Sequence, residues 1–183
     1  MDELIDILDS RGKYTNTTAM KSEAHAKGLY HPTVHIWFYT AHGDVLIQQR
    51  AKNKDTHPLL WDVSVAGHIG AGEDIDESAI REVQEEIGLT IVKTDLEKIG
   101  VFKSIQRHSD DLIDCEFHHT FLCQLKRPFA ELTKQESEVQ QLSLIPLSTL
   151  ENDILENQDW NRYVPHETTY YKKIFNSIKT RLK

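Results

Sequence analysis

The chain has 183 residues, 39% of them hydrophobic and 27% charged, a balance that fits a single domain, residues 1–183, with a real hydrophobic core. With 29 acidic against 21 basic residues the net charge is −8, which argues against nucleic acid polymers and anionic membranes as partners but leaves room for a small phosphorylated ligand beside a bound cation. Cys115 and Cys123 form no CxxC pair, the acidic N-terminus does not read as a signal peptide, and no run of about 18 apolar residues occurs, so a reducing cytoplasm is the expected setting.

In chain order, "LIDIL" (4–8) and "KYTNTTAM" (13–20) flank the glycine-containing "DSRG" and predict a hairpin. "TVHIWFYT" (33–40), rich in β-branched and aromatic residues, meets "DVLIQQR" (44–50) across "AHG" and predicts a second. A loop holding Asn53, Asp55 and Pro58 leads to "WDVSVAG" (61–67), read as one short strand ending at glycine. A helix follows, capped at its start by Asp74 or Asp76 and ended by Gly88. Its apolar stripe is Ala79, Ile80, Val83 and Ile87. The acids Glu82, Glu85 and Glu86 centre about 120° away, so the helix is expected to bury one side and present its acids on another.

"EKIGVFKSI" (97–105) and "IDCEFHHTFLCQL" (113–125) predict two more strands. In the second, alternation assigns Ile113, Cys115, Phe117, His119, Phe121, Cys123 and Leu125 to the core, and Asp114, Glu116 and His118 to the opposite face. "EVQQLSLIPLSTL" (138–150) reads as a strand and a turn at Pro146, and "TTYYKKIFNSIKTRL" (168–182) as a basic amphipathic helix with a solvated charged face. Strands mixed with a few helices predict an α/β sandwich rather than a doubly wound parallel sheet.

Crowding Glu82, Glu85 and Glu86 onto one helix face costs about 0.2–0.5 kcal/mol per like-charged pair. Something cationic among them would remove that cost. An i, i+3, i+4 carboxylate trio is the kind of hard-oxygen site that suits Mg²⁺, with the Gly67 carbonyl able to add one more ligand. A divalent ion stabilises charge on phosphoryl oxygens and helps water act as a nucleophile. Arg81 is placed to pair with Glu73 and to orient a neighbouring glutamate.

The whole stretch "GHIGAGEDIDESAIREVQEEIGL" runs from Gly67 through five residues to Glu73, and through seven more to Arg81-Glu82-Val83, Glu85-Glu86 and Gly88-Leu89. It resembles the Nudix box at every defined position. The resemblance implies a Nudix-type α/β/α sandwich with a mixed sheet, and a hydrolase of small organic diphosphates, nucleoside diphosphate derivatives above all. It also implies Mg²⁺ or Mn²⁺ held by Gly67, Glu82, Glu85 and Glu86. One glutamate acts as base in such enzymes, but which one varies. A downstream strand often supplies a further acid, here Glu116, with Asp114 beside it.

A narrower likeness, through "EAHAKGLYHPTVHIWFY", "IQQRAKNK", "WDVSVAGH" and "DCEFHHTF", is to the isopentenyl-diphosphate isomerases and their Nudix relatives. It implies metal ligands at His25, His31, His68, Asp114 and Glu116, His31 requiring a one-residue gap. It places Arg50 and Lys54 where diphosphate is held, a role that suits a guanidinium fork and a point charge. The isomerases use a cysteine where this chain has Ala66, and a methyl group cannot move a proton. This chain also keeps Glu82 and Glu85. Both departures favour hydrolysis over isomerisation and over a non-catalytic diphosphate sensor. Oligomeric state is not legible, and a homodimer is allowed.

Other residues carry competing readings. His68 is either a ligand or a hydrogen-bonded surface residue. His35 is expected in the sheet, His118 beside Glu116 in a pocket, and His42, His57, His108 and His166 in loops. Trp37 and Trp61 are expected in the core or a pocket wall. Trp160 is expected to pack the C-terminal segment or, alternatively, to cover a substrate with its flat ring.

Overall fold

The computed structural model describes residues 2–183. Among the described residues there are nine strands and four α-helices: β1 (Leu4–Leu8), β2 (Tyr14–Met20), α1 (Lys21–Lys27), β3 (His31–Tyr39), β4 (Asp44–Arg50), β5 (Trp61–Asp62), β6 (Val65–His68), α2 (Ile75–Ile87), β7 (Glu97–Ser109), β8 (Leu112–Gln124), β9 (Val139–Pro146), α3 (Leu147–Glu151) and α4 (Thr168–Arg181). No helix of the described residues is long and apolar enough to cross a membrane.

β1 and β2 form a separate two-stranded sheet. The main sheet runs β5-β4-β3-β8-β7, with β6 also pairing β3 and β9 pairing β4. β3 and β8 are parallel, and the other pairs in this sheet are antiparallel, so the sheet is mixed as expected. β3 meets β4 only at Tyr39–Val45, near the hairpin turn; beyond it, β6 takes the place beside β3. This splits "WDVSVAG" into two strands where one was expected: β5 joins β4, and β6 joins β3.

All nine residues of β3 are buried, because both faces of the sheet are covered. On one face Val34, Ile36 and Phe38 pack with Ala79, Val83 and Ile87 of α2. On the other, Trp37 and Tyr39 pack with Tyr170, Tyr171, Ile174, Phe175 and Ile178, the apolar stripe of α4. This is the expected α/β/α sandwich, and each large side chain buried in it contributes about 1.5–3 kcal/mol. The double cover also corrects the expectation for β8. His118, assigned to the face opposite the core, is as buried as its neighbours Phe117 and Phe121, and so are Thr120 and Leu122 farther along the same face.

The hairpin, the strands and both long helices lie where the sequence pattern places them. Two elements were not expected: α3 (Leu147–Glu151), where the sequence reads as a turn at Pro146, and α1. Residues 21–27 form α1, ended by Gly28 in the left-handed region at φ 61°, and this helix carries His25.

Candidate metal centre and active site

α2 begins where the Asp74 carboxylate accepts from the backbone N–H groups of Asp76 (3.0 Å) and Glu77 (3.2 Å). It ends at Gly88, at φ 67°, where a Cβ would also overlap Thr133. The three acids of this helix do not share a solvated face, contrary to expectation. Glu82 and Glu86 are buried, and Glu85 remains outside. Helical geometry gives the reason. At about 100° per residue, Glu86 lies only about 20° from Ala79, and Glu82 about 60° from it, so both fall within the arc that the sheet covers. Averaging the trio into one direction hides this.

Burial drives the Glu82 carboxyl up to about 7 and the Glu86 carboxyl up to about 8; the repulsion between them adds to both the cost and, for Glu86, the rise. Glu86 Oε2 accepts from Gln48 Nε2 at 2.9 Å and from Ala66 N at 3.2 Å. Gly67 lies against the Glu82 carboxyl so closely that any Cβ there would overlap it. Two buried acids so close under a bare backbone segment are a fit for a hard divalent cation.

Arg81 ties this region together. Its fork donates from Nε and Nη2 to the two oxygens of Glu73, each at 2.9 Å. Nη1 donates to Glu82 Oε1 (2.7 Å) and Glu85 Oε2 (3.2 Å), and Nη2 also donates to the His68 carbonyl (3.1 Å). These bonds use all five guanidinium donors. The Arg81 hydrogen bonds hold Glu73 down at about 2.

A second cluster lies across β6. His25 from α1, His31 from β3, His68 from β6 and Glu116 from β8 bring ligand atoms within 4.8 Å of one another. β3 and β8 set half of it directly, since His31 is the register partner of Glu116. Glu116 Oε1 stands 3.5 Å from His31 Nε2 and 3.7 Å from His68 Nε2. His25 Nδ1 lies 3.9 Å from Asp114 Oδ1, and Asp114 Oδ2 is 3.0 Å from His108 Nε2. The buried Nε2 atoms of His25, His31 and His68 have no hydrogen-bond partner.

His31 Nδ1 donates to the Leu29 carbonyl at 2.9 Å, which leaves the Nε2 lone pair aimed into the cluster. Burial keeps His25 and His68 below the ordinary histidine range, hence neutral. Burial alone would raise Glu116, but its histidine neighbours override that and hold it well below the usual carboxylate range. Burial alone would lower His31, but the Glu116 carboxylate overrides that and raises it, so a cation entering the cluster competes with a proton that Glu116 favours on that ring.

The NUDIX domain family matches residues 29–166. The chain belongs to the Nudix hydrolase family. An uncharacterized Nudix hydrolase of Clostridium acetobutylicum is 32% identical, with 97% of each chain covered. Nudix hydrolase 3 of Arabidopsis thaliana is 34% identical over 98% of this chain, which spans only 24% of that protein's length. Isopentenyl-diphosphate Delta-isomerase 2 of Photorhabdus laumondii is 29% identical, with 97% of this chain and 93% of its own covered. Among solved structures, the DR0079 protein of Deinococcus radiodurans shares the fold with a TM-score of 0.66 at 18% identity, over 84% of this chain and 89% of that one.

Against the Nudix box, the site residues divide into groups. Glu82 and Glu86 form a buried pair on α2; Glu85 is tied to Arg81; His68 and Glu116 join His25 and His31 rather than the helix acids. Next to this cluster is a cavity of about 150 Å³, lined by Ala66, Gly67, His68, Glu116, Arg50 and Lys54 among others. Arg50 is anchored by Asp62 Oδ2 (3.2 Å) and by the carbonyl and hydroxyl oxygens of Thr56, and Lys54 by Glu138 (2.5 Å). Trp160 stacks on Tyr171 with ring centroids 6.3 Å apart and is not in the cavity lining.

Of the histidines assigned to loops, His108 lies in a strand instead, and His166 keeps its loop position but is buried. His108 is in β7 and reaches Asp114, and His166 is buried with Nε2 donating to Asp62 Oδ1 at 2.9 Å. Asp62 and His166 carry no spacing signal; β5 and the chain before α4 meet only in three dimensions, at the Trp61–Tyr163 bridge.

Proposed function

We propose that this Nudix protein is a divalent-metal-dependent hydrolase that cleaves the diphosphate bond of a small organic diphosphate of the nucleoside diphosphate derivative class. The observation that carries the reading is the convergence of three buried, unpartnered imidazole nitrogens on Glu116 at the wall of a cavity that also holds Arg50 and Lys54. His25, His31, His68 and Glu116, with Asp114 adjacent, would hold one ion. Three nitrogens and one carboxylate favour Mn²⁺ over Mg²⁺ there. Glu82, Glu86 and the Gly67 carbonyl offer only oxygens and would hold Mg²⁺. A bound cation polarises phosphoryl oxygens and makes water a better nucleophile. Arg50 and Lys54 hold the phosphates, and Arg81 keeps Glu82 and the loop before α2 in place.

The likeness to isomerases supports a second reading, proton transfer at carbon in an isoprenoid diphosphate. Ala66 opposes it, because nothing at that position exchanges a proton. A panel of nucleoside diphosphates, nucleotide sugars, dinucleotides and isoprenoid diphosphates, incubated with Mg²⁺ and Mn²⁺ and scored for phosphate-containing products, tests the hydrolase. Glu116→Gln should remove most turnover. Deuterium uptake from heavy water into isopentenyl diphosphate without phosphate products would establish the isomerase instead.

A further inference from the structure

Beyond the metal cluster, the cavity ends in a chamber of buried polar side chains: Thr33, His35, Asp62, His118 and His166. Asp62 accepts from Arg50, from the Val63 N–H (2.8 Å) and from His166. Its bond to His166 makes Nε2 the donor, and among the described residues Nδ1 of that ring makes no hydrogen bond. His118 is only 3% exposed. Its Nδ1 shares a hydrogen bond with Thr33 Oγ1 at 2.8 Å, and its Nε2 has no partner. His35 stacks on it at 3.9 Å, and His35 is itself held by Tyr170 Oη, which accepts from Trp37 Nε1. The two rings are therefore rigidly placed, each with a polar atom unused inside the protein.

A second cavity, of about 210 Å³, lies between β7 and the start of α4, with Phe102, Ser104, Thr169 and Tyr170 in its wall. His118 and His166 line both cavities. Their ring centroids are 5.8 Å apart, and the pair forms a wall common to both cavities.

We propose that His118 and His166 form a hydrogen-bonding subsite for hydroxyl groups on the organic moiety of the substrate, selecting polyol or sugar diphosphates over hydrocarbon ones. His166 Nδ1 accepts from one hydroxyl, His118 Nε2 pairs with a second polar atom, and the remainder of the group extends toward Phe102 and Tyr170. A hydrocarbon chain in this chamber would leave a buried imidazole nitrogen unpaired. Sites built to bond a hydroxyl discriminate strongly against the analogue that lacks it. This inference rests on the diphosphate-hydrolase reading above, which puts the phosphates near Arg50 and Lys54.

The test compares pentyl diphosphate with the pentitol diphosphate of the same carbon skeleton. Wild type should favour the pentitol compound by about 100-fold or more in kcat/KM. His166→Phe should cut that ratio at least tenfold. His166→Gln, which keeps both a donor for Asp62 and an acceptor, should restore part of it; a purely structural role for His166 would lower both substrates together. Equal kcat/KM for the two compounds in wild type, or an unaltered ratio in His166→Phe, would overturn the subsite. If wild type cleaves neither compound nor any nucleotide, the hydrolase reading fails, and calorimetric titration with the same pair decides the subsite alone: tighter binding of the pentitol compound, lost in His166→Phe, supports it, and equal affinity ends it.

Discussion

The backbone of Gly67 passes so close to the carboxyl of Glu82 that the two fit only because Gly67 has no side chain. Gly67→Ala should push α2 away from β6 or force Glu82 into another rotamer. Overpacking of this kind costs about 1–3 kcal/mol. A lowered melting temperature together with weakened Mg²⁺ binding in calorimetry is the expected result; a variant with both unchanged would mean that this contact does not organise the site.

The raised carboxyls of Glu82 and Glu86 give stability a pH dependence with a definite sign. Below about 4.5 both groups are protonated in the folded and unfolded chains alike. Between there and about 8 the unfolded chain ionises them while the folded, metal-free protein retains the protons. Their contribution to stability therefore falls as pH rises through this window. A divalent cation competes with those protons, so its binding strengthens with pH. In a chelator the melting temperature should drop from about pH 5 to about pH 8, and added Mg²⁺ should raise it more at the higher pH. A melting temperature that climbs with pH in the chelator would refute the assignment of these two acids.

Arg81→Lys keeps the charge and loses the fork. A lysine ammonium cannot hold both Glu73 oxygens, Glu82, Glu85 and the His68 carbonyl at once. The pairs are partly exposed, so the stability loss should be modest, about 1–2 kcal/mol. Turnover should suffer more, since Glu82 and the His68 segment both lose their anchor. Denaturant titration and steady-state rates on the same preparation measure the two effects.

Trp160→Ala separates packing from substrate contact. Because Trp160 stacks on Tyr171 outside the cavity, its removal should lower the melting temperature and leave KM for the substrate within about twofold. A large rise in KM with intact stability would restore the alternative role of a ring over the substrate.

Local patterns made much of this molecule legible. The cap at Asp74, the stop at Gly88, the apolar stripe of α2, both hairpins and the fork of Arg81 on Glu73 follow from spacing within a few turns of chain. Two kinds of feature did not follow. The burial of Glu82 and Glu86 depends on which side of the helix β6 covers, and a mean direction for three acids conceals how near two of them lie to Ala79. Asp62, His118 and His166 come from three distant segments, and their pairing is written in the sheet order and not in any motif.

The direct register of His31 opposite Glu116 has a kinetic consequence. Thr33 and His118, two steps along the same pair of strands, are 85 positions apart in the chain. A parallel pairing of that span requires closure of a long loop and forms late in comparison with hairpins. The histidine cluster therefore requires closure of a long stretch of chain, as does the pairing of Asp44 with Pro146 between β4 and β9. Any ion that bridges the cluster acts as a clasp between two remote stretches of polypeptide, slowing unfolding more than it speeds folding.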